Sequence, residues 1–438
     1  MIHKTIKMSC FALLLPGMLY AQNVKKLTLQ EAIQLGVENS KNLKLSQNKI
    51  EEALAKLDVT KDNSLPTAKA SVLYNHAEIP TNQLVLDGGN PIFLPKRANA
   101  FVGTASVQQL IYGGSKMKYA RQSTKLLADV ARLDADKNQE EVTYAVIDTY
   151  YSLYKVAQSK KVVNQNLASI ASQLKQSQRF FEQGIVTKND VLRFQLQQAN
   201  ITLTDLDIES NRKIINYNLD ILLGLPEDTE IDINDPSDDQ KEVAPLNTYI
   251  DQALSYRQEL RELDLRNKVA EIDIKSVKAN ASPTFGIGAD VYYINPNGSF
   301  FPKSHDYIMP MTASATLSWN IGTLWTNKHK VTEARVQQRS IGLQKDIQSD
   351  NVKTEINRNY QNYQVAKNKI KVLETSINQA TENDRLLESK YKNNVASAID
   401  RIDAETLLYQ AKINLELAKA DAGLAYYTLL KSTGKISQ

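Results

Sequence analysis

The chain has 438 residues, 53 of them basic and 49 acidic, for a formal net charge of only +4. So even a balance, with no basic run interleaved with aromatics, excludes a nucleic-acid surface. Glycine (16) and proline (12) are sparse, and Gln, Asn, Lys, Ala and Leu fill long stretches, which favours long helices over a compact α/β domain.

The N-terminus reads as a signal peptide over residues 1–21. Lys4 and Lys7 give a basic start, Met8 to Leu15 an apolar core, and Ala21 a small residue at the cut. The single cysteine, Cys10, lies inside this segment, so the mature chain is expected to have no disulfide and no thiolate chemistry. No later stretch reaches about 18 apolar residues, so no transmembrane helix is expected. An exported chain of this kind is either soluble or crosses a membrane as a β-barrel.

Helical periodicity begins at Leu29, Ile33 and Val37 and continues through Leu43, Ile50, Leu54 and Leu57. Pro66 ends it. Alternation then takes over: Ala68, Ala70, Val72 and Tyr74 fall on one face, Thr67, Lys69 and Ser71 on the other. After a loop rich in Pro, Asn and Gly, Phe101, Gly103, Ala105 and Val107 alternate with Val102, Thr104, Ser106 and Gln108. Gly113-Gly114 marks a strand-to-helix turn, and two helical patterns follow at about 115–183 and 190–223.

Pro226–Pro245 holds eight acidic residues and one lysine and reads as a surface linker with no metal site. Beyond it Phe285, Ile287, Ala289, Val291 and Tyr293 alternate with Thr284, Gly286, Gly288 and Asp290. Met309, Met311, Ala313, Ala315, Leu317 and Trp319 alternate with Thr312, Ser314, Thr316 and Ser318. Strands of about ten residues suit a tilted bilayer crossing. Their charged residues, Lys69 and Asp290, fall on the polar face, and Tyr74, Phe101, Tyr293 and Trp319 are expected at strand ends, as an aromatic girdle. Helical patterns return at about 326–393 and 400–431, the last with a heptad seam at Leu408, Ala411, Leu415, Ala418, Ala422, Ala425 and Leu429.

The landmarks of the first half recur in the second. Leu65-Pro66 matches Ser282-Pro283, Gly113 matches Gly322, and Asp190 matches Asp400, at offsets of 209 to 217 residues. That is far beyond the period of a solenoid, roughly 20–50 residues, and implies a duplicated unit. The organisation read from it is a signal peptide (1–21), a first repeat (22–225), the acidic linker (226–245) and a second repeat (246–438). Each repeat carries a helix–helix turn, Phe181-Glu-Gln-Gly184 to Asp190 and Tyr391-Lys-Asn-Asn394 to Asp400. Gly184 suits the left-handed residue that ends a helix, and Asn394 is the next best choice. Thr187 or Asn189 can cap the following helix, with Asp190 in its first turn.

With this order of elements and these two turns, Phe181-x-x-Gly184 leading to Asp190-Val191-Leu192 and Tyr391-x-x-Asn394 leading to Asp400-x-Ile402-Asp403, the whole mature chain resembles the TolC-like outer-membrane efflux proteins. The resemblance implies a mixed α/β membrane protein. Its parts are a long α-helical coiled-coil barrel and a 12-stranded antiparallel β-barrel shared by a trimer, four strands per protomer. Four strands alone cannot close a membrane barrel, since the smallest have about eight. It implies a homotrimer in the outer membrane of a Gram-negative bacterium, in contact with outer-membrane lipid and extending into the periplasm. Its partners are then a periplasmic adaptor and an inner-membrane transporter, in a tripartite efflux or type I secretion system whose passive exit duct opens on docking.

The resemblance also assigns roles. Asp400 and Asp403 fall at the periplasmic constriction, where three-fold symmetry makes each a ring of carboxylates. A tyrosine–aspartate link maps onto Tyr391 and Asp190. Asn189 stands where the family has a threonine, and Ala396 where it has a gate arginine, so that ionic lock is missing. Gly184, Thr187 and Asn394 fall at the hairpin tips, where the adaptor docks.

Enzymatic chemistry finds no support. His76 and His305 are expected in strand-connecting loops and His329 at a helix start, with no metal-ligand spacing, serine elbow or phosphate loop, and no cofactor is expected. The competing reading is a soluble periplasmic coiled-coil scaffold or adaptor without a pore. The apolar faces of all four strands count against it.

Overall fold

The computed structural model describes residues 24–80, 83–85, 88–93, 96–236, 244–295 and 307–436. The expected signal peptide with Cys10, and His305, lie outside the described residues. In chain order the elements are β1 (Val24–Leu27), α1 (Leu29–Asn39), α2 (Lys41–Asp62), β2 (Thr67–Glu78), β3 (Gln83–Leu84) and β4 (Ile92–Phe93). Then come β5 (Arg97–Tyr112), α3 (Lys116–Glu182), α4 (Lys188–Leu223), β6 (Glu230–Ile233), α5 (Leu246–Tyr256) and α6 (Gln258–Lys278). After a 3-10 turn (Ala279–Ala281) follow β7 (Thr284–Asn295), β8 (Met311–Ser318), α7 (Thr323–Lys392) and α8 (Ala398–Ser432). The long helices α3 and α7 have 67 and 70 residues, about 100 Å each at 1.5 Å per residue. Every long element expected from periodicity is present within a few residues of its expected bounds.

The chain divides into two compact units, one of Lys41–Glu141, Val243–Tyr360 and Leu429–Gln438, the other of Met1–Ser40, Val142–Glu242 and Gln361–Thr428. The first holds the antiparallel sheet, in the order β2-β5-β7-β8. Its cross-strand register brings the four alternations into phase. Ala68, Ala70, Val72 and Tyr74 pair with Val107, Ala105, Gly103 and Phe101. Val107 and Ala105 pair in turn with Ala289 and Val291, which pair with Ala313 and Met311. Over these rows one sheet face is therefore apolar from edge to edge, with Gln109 opposite Ile287 as a polar residue beyond them, and it is open: Val72 is 79% exposed, Leu317 73% and Met311 69%. The opposite face is polar over Thr67–Ser71, with Ser71 and Thr104 hydroxyls 2.7 Å apart, and turns apolar at Leu73, Val102 and Ile294.

Between Leu110 and Tyr112 the register slips by one residue. Ile111 is the extra residue, and the bulge returns Tyr112 to the apolar face, opposite Phe285. Two expectations need correction here. Tyr74 and Phe101 are not at strand ends: they pair with each other, rings 4.9 Å apart, and both strands run four residues further. His76 lies in β2 rather than in a loop, with Nδ1 2.6 Å from Asn99 Oδ1. In this added stretch the apolar face turns polar, and Glu78 and Arg97 form a 2.8 Å ion pair. Alternation fades once His, Asn, Glu and Arg replace the apolar residues, so the sequence shows the apolar band and not the whole strand.

At the other end of β5, Gly114 takes φ +66°, and a Cβ there would sit 2.8 Å from Ala279 O. Only glycine fits both the conformation and the close approach. The same unit has a core of Tyr249, Ala253 and Leu260 against Val352, Ile356 and Leu429. Arg257 lies over it, paired to Glu259 and Glu355, each at 3.1 Å.

The second unit contains a two-stranded parallel sheet that the sequence reading missed: β1 pairs with β6, Val24 opposite Glu230 through Leu27 opposite Ile233. Part of the expected acidic linker is thus a strand, with Ile231 in a core of Leu27, Ala32, Val146, Tyr150, Leu153, Leu219 and Leu223. The Tyr150 hydroxyl lies 3.0 Å from Leu27 O and 2.8 Å from Asn234 O, donating between the ends of both strands. A capping box starts α1, with Thr28 N donating to Glu31 Oε2 at 2.8 Å.

Candidate functional site

The two helix–helix turns fold alike because their residues answer the same local demands. Gly184 ends α3 at φ +71° and Asn394 ends α7 at φ +58°. In each turn the next residue's N–H reaches back to close the helix: Ile185 N to Phe180 O and Val395 N to Lys390 O, both 2.8 Å. A capping box then starts each following helix. Thr187 N and Oγ1 donate to Asp190 Oδ2 at 2.9 and 2.7 Å. Ser397 N and Oγ donate to Asp400 Oδ2 at 3.0 and 2.6 Å. Of the two expected caps, Thr187 makes the bond, and Asn189 is an exposed residue of the first turn.

The hydrogen bonds from Ser397 hold the Asp400 carboxyl below the usual carboxylate range, so it stays ionised into acid. Asp403 is exposed one turn on. Both turns also present apolar side chains to solvent: Phe181 and Ile185 in the first, Ile399 and the 74%-exposed Val395 in the second.

Tyr391 is only 3% exposed. It packs with Val163, Ile170, Phe194, Ile201 and Ala398, its ring edge-on to Phe194 at 5.8 Å. Its hydroxyl faces Ser177, and no hydrogen bond joins it to Asp190, so the implied link is not made. The Asp190 carboxylate is already engaged by Thr187. Burial first, and the nearby Asp190 charge second among the raising effects, push the Tyr391 hydroxyl up. Ala396, which stands where the resemblance implies a gate arginine, packs against this same cluster.

A buried polar group beside the second turn escaped the sequence reading. Arg401 forms an ion pair with Asp384, their side chains 5% and 17% exposed. One turn along, Glu405 accepts a 2.6 Å hydrogen bond from Gln173 Nε2. Burial raises the Glu405 carboxyl, opposed by Ser169 and by the Arg401 charge. Glu405, Asp384, Asn166 and Ser169 line a pocket of ≈ 160 Å³. No sequence signal marks these partners, because Asp384 and Arg401 stand 17 residues apart on different helices and Gln173 and Glu405 stand 232 apart.

Among the described residues no group of three or more His, Cys, Asp or Glu is placed to hold a metal ion, and no helix is long and apolar enough to cross a membrane.

The model of the outer membrane efflux protein family matches residues 32–225 and 249–435. The chain belongs to the outer membrane efflux protein family. Its members are transport conduits and not enzymes. Solved structures agree in fold. The outer-membrane channel OprN superposes with a TM-score of 0.74 at 13% identity, covering 93% of this chain and 89% of that one. The outer membrane protein VceC from Vibrio cholerae gives 0.73 at 14% identity, covering 93% and 96%. The Campylobacter jejuni CmeC outer membrane channel gives 0.73 at 15% identity, covering 94% and 87%. No curated protein sequence matches the chain. Like these channels, this efflux-family chain is helix-rich with a small set of strands, and the family makes it an outer-membrane efflux channel.

Proposed function

We propose that three copies of the chain form the outer-membrane exit duct of a tripartite efflux or secretion system. One observation carries the reading. The sheet is four strands wide with β2 and β8 as bare edges, and one face is apolar and exposed from edge to edge. In water such a sheet invites uncontrolled pairing; in lipid, open edges are not tolerated and only a closed barrel satisfies the backbone. Three sheets joined β8 to β2 make a closed barrel of 12 antiparallel strands, an even number within the known range.

The apolar band has the right height. From the Phe101 row to the Tyr112 row the ladder advances ten residues of β7, Asn295 to Phe285, about 33 Å at 3.3 Å per residue. At a 40° tilt that spans roughly 25 Å, the height of the apolar band of such barrels. Aromatics stand at both limits, Tyr74, Phe101 and Tyr293 at one, Tyr112, Phe285 and Trp319 at the other.

In this reading the turns holding Gly184, Thr187 and Asn394 are where an adaptor docks, with Phe181, Ile185 and Val395 as apolar contacts. Asp400 and Asp403 form the periplasmic constriction together with Asn189 and Asp190 of the neighbouring turn, and Tyr391 packs behind them. Docking moves the turns outward and widens the acidic ring. The test is purification in detergent with mass measurement by light scattering, then reconstitution in planar bilayers. A trimer with stepwise conductance is expected; a detergent-independent monomer without conductance overturns the duct.

A further inference from the structure

Within the barrel strands the register places Lys69 opposite Ser106, and Ser106 opposite Asp290, which in turn faces Thr312. Among the described residues Lys69 and Asp290 are the only charged side chains on the polar face of the sheet. One cation and one anion therefore occur in one cross-strand row, two strands apart. Two strand spacings put their Cβ atoms roughly 10 Å apart, with only the short Ser106 side chain between them.

Resting on the duct reading, we propose that Lys69 and Asp290 form a charge-compensated collar that sets the ion selectivity of the β-barrel lumen. Three-fold symmetry turns each residue into a ring of three. The strands tilt by about 40°, so a row perpendicular to them climbs, and the lysine and aspartate rings lie roughly 6 Å apart in height. That separation is within the ~8 Å Debye length at physiological salt. The two rings therefore cancel each other's field across the lumen, and this stretch passes anions and cations alike. With one ring neutralised, three uncompensated charges of one sign face the permeant ion.

The test is the reversal potential in planar bilayers under a potassium chloride gradient. Asp290→Asn is expected to shift the potassium-to-chloride permeability ratio about two- to fivefold toward chloride. Lys69→Gln is expected to shift it by a similar factor toward potassium, and the double variant to return to the wild-type value. Single variants without a shift, shifts of the same sign, or a double variant that does not return would overturn the collar. Should a variant fail to assemble, Asp290→Cys or Lys69→Cys can be modified in the inserted channel, the mature sequence having no other cysteine. A positively and a negatively charged thiosulfonate must then move the reversal potential in opposite directions; an unmoved potential sinks the proposal. A wild-type chain with no conductance refutes the duct itself, whereas a conducting trimer indifferent to all these changes refutes only the collar.

Discussion

Asn216 holds one side of the Asp220 carboxylate and leaves the other bare. Its Nδ2 donates to Asp220 Oδ2 at 2.9 Å and to Thr229 O at 2.7 Å, and its Oδ1 accepts from Ile231 N at 2.9 Å. Asp220 has no exposed surface, and its Oδ1 has no partner. One asparagine thus ties the end of α4 to β6 while a carboxylate beside it is incompletely satisfied. Burial, and the charge of Asp228, raise the Asp220 carboxyl to about 6.

A carboxyl raised on folding binds its proton more tightly in the native state than in the unfolded chain. Stability therefore falls as pH rises from about 4 to about 6 and stays low above that window. Asp220→Asn should abolish this slope and raise stability near neutral pH by on the order of 2 kcal/mol. Thermal melting of the detergent-solubilised protein at pH 5 and pH 7.5 checks it. A variant that melts no higher than wild type at pH 7.5 contradicts the assignment.

The Arg401–Asp384 pair joins a buried guanidinium to a part-buried carboxylate. Removing one partner leaves an uncompensated charge in a low-dielectric site, so Asp384→Ala should cost about 3–5 kcal/mol. Replacing both by apolar residues, Arg401→Met with Asp384→Leu, should recover most of it. Denaturant titration of the two variants makes the comparison, and equal stability of the two would argue against a buried pair.

At the strand-to-helix turn, Gly114→Ala meets two penalties: a left-handed backbone and a contact of 2.8 Å with a carbonyl oxygen. A loss of about 2 kcal/mol is expected. Gly184→Ala meets only the first, since nothing lies within 4 Å of that site, and should lose about 1 kcal/mol. Parallel melting curves test the ranking.

The gate reading has its own measurement. Asp400→Asn combined with Asp403→Asn should raise the half-blocking concentration of a divalent cation about tenfold in bilayer recordings. Because Ser397 keeps Asp400 ionised below the usual range, block of the wild type should persist under mildly acid conditions. Block unaffected by the double substitution would remove the acidic ring.

Long elements were legible because their signals are local. The apolar period of α3 and α7, the alternation of β2, β5, β7 and β8, and the demand for Gly184 or Asn394 at a left-handed position are properties of neighbouring residues. The pairing of Asp190 and Asp400 with a hydroxyl three residues earlier is equally local, and the sequence offered both Thr187 and Asn189 as caps. The short strands β1 and β6 were illegible because four residues carry too little alternation to stand out from an acidic loop. Arg401, Asp384, Gln173 and Glu405 were illegible because each becomes polar core only through a partner distant in sequence.

By itself, then, the sequence determined the order of helices and strands, the two capped turns and the apolar and polar faces of each strand, since backbone geometry repeats every 3.6 or 2 residues whatever lies across from it. Tertiary structure alone decided which rows meet. Strand register set Tyr74 against Phe101, the Ile111 bulge brought Tyr112 onto the apolar face, and β5 placed Lys69 and Asp290 on either side of Ser106. Those choices depend on cross-strand hydrogen bonds between segments up to two hundred residues apart, where a slip of one residue would turn every side chain to the other face.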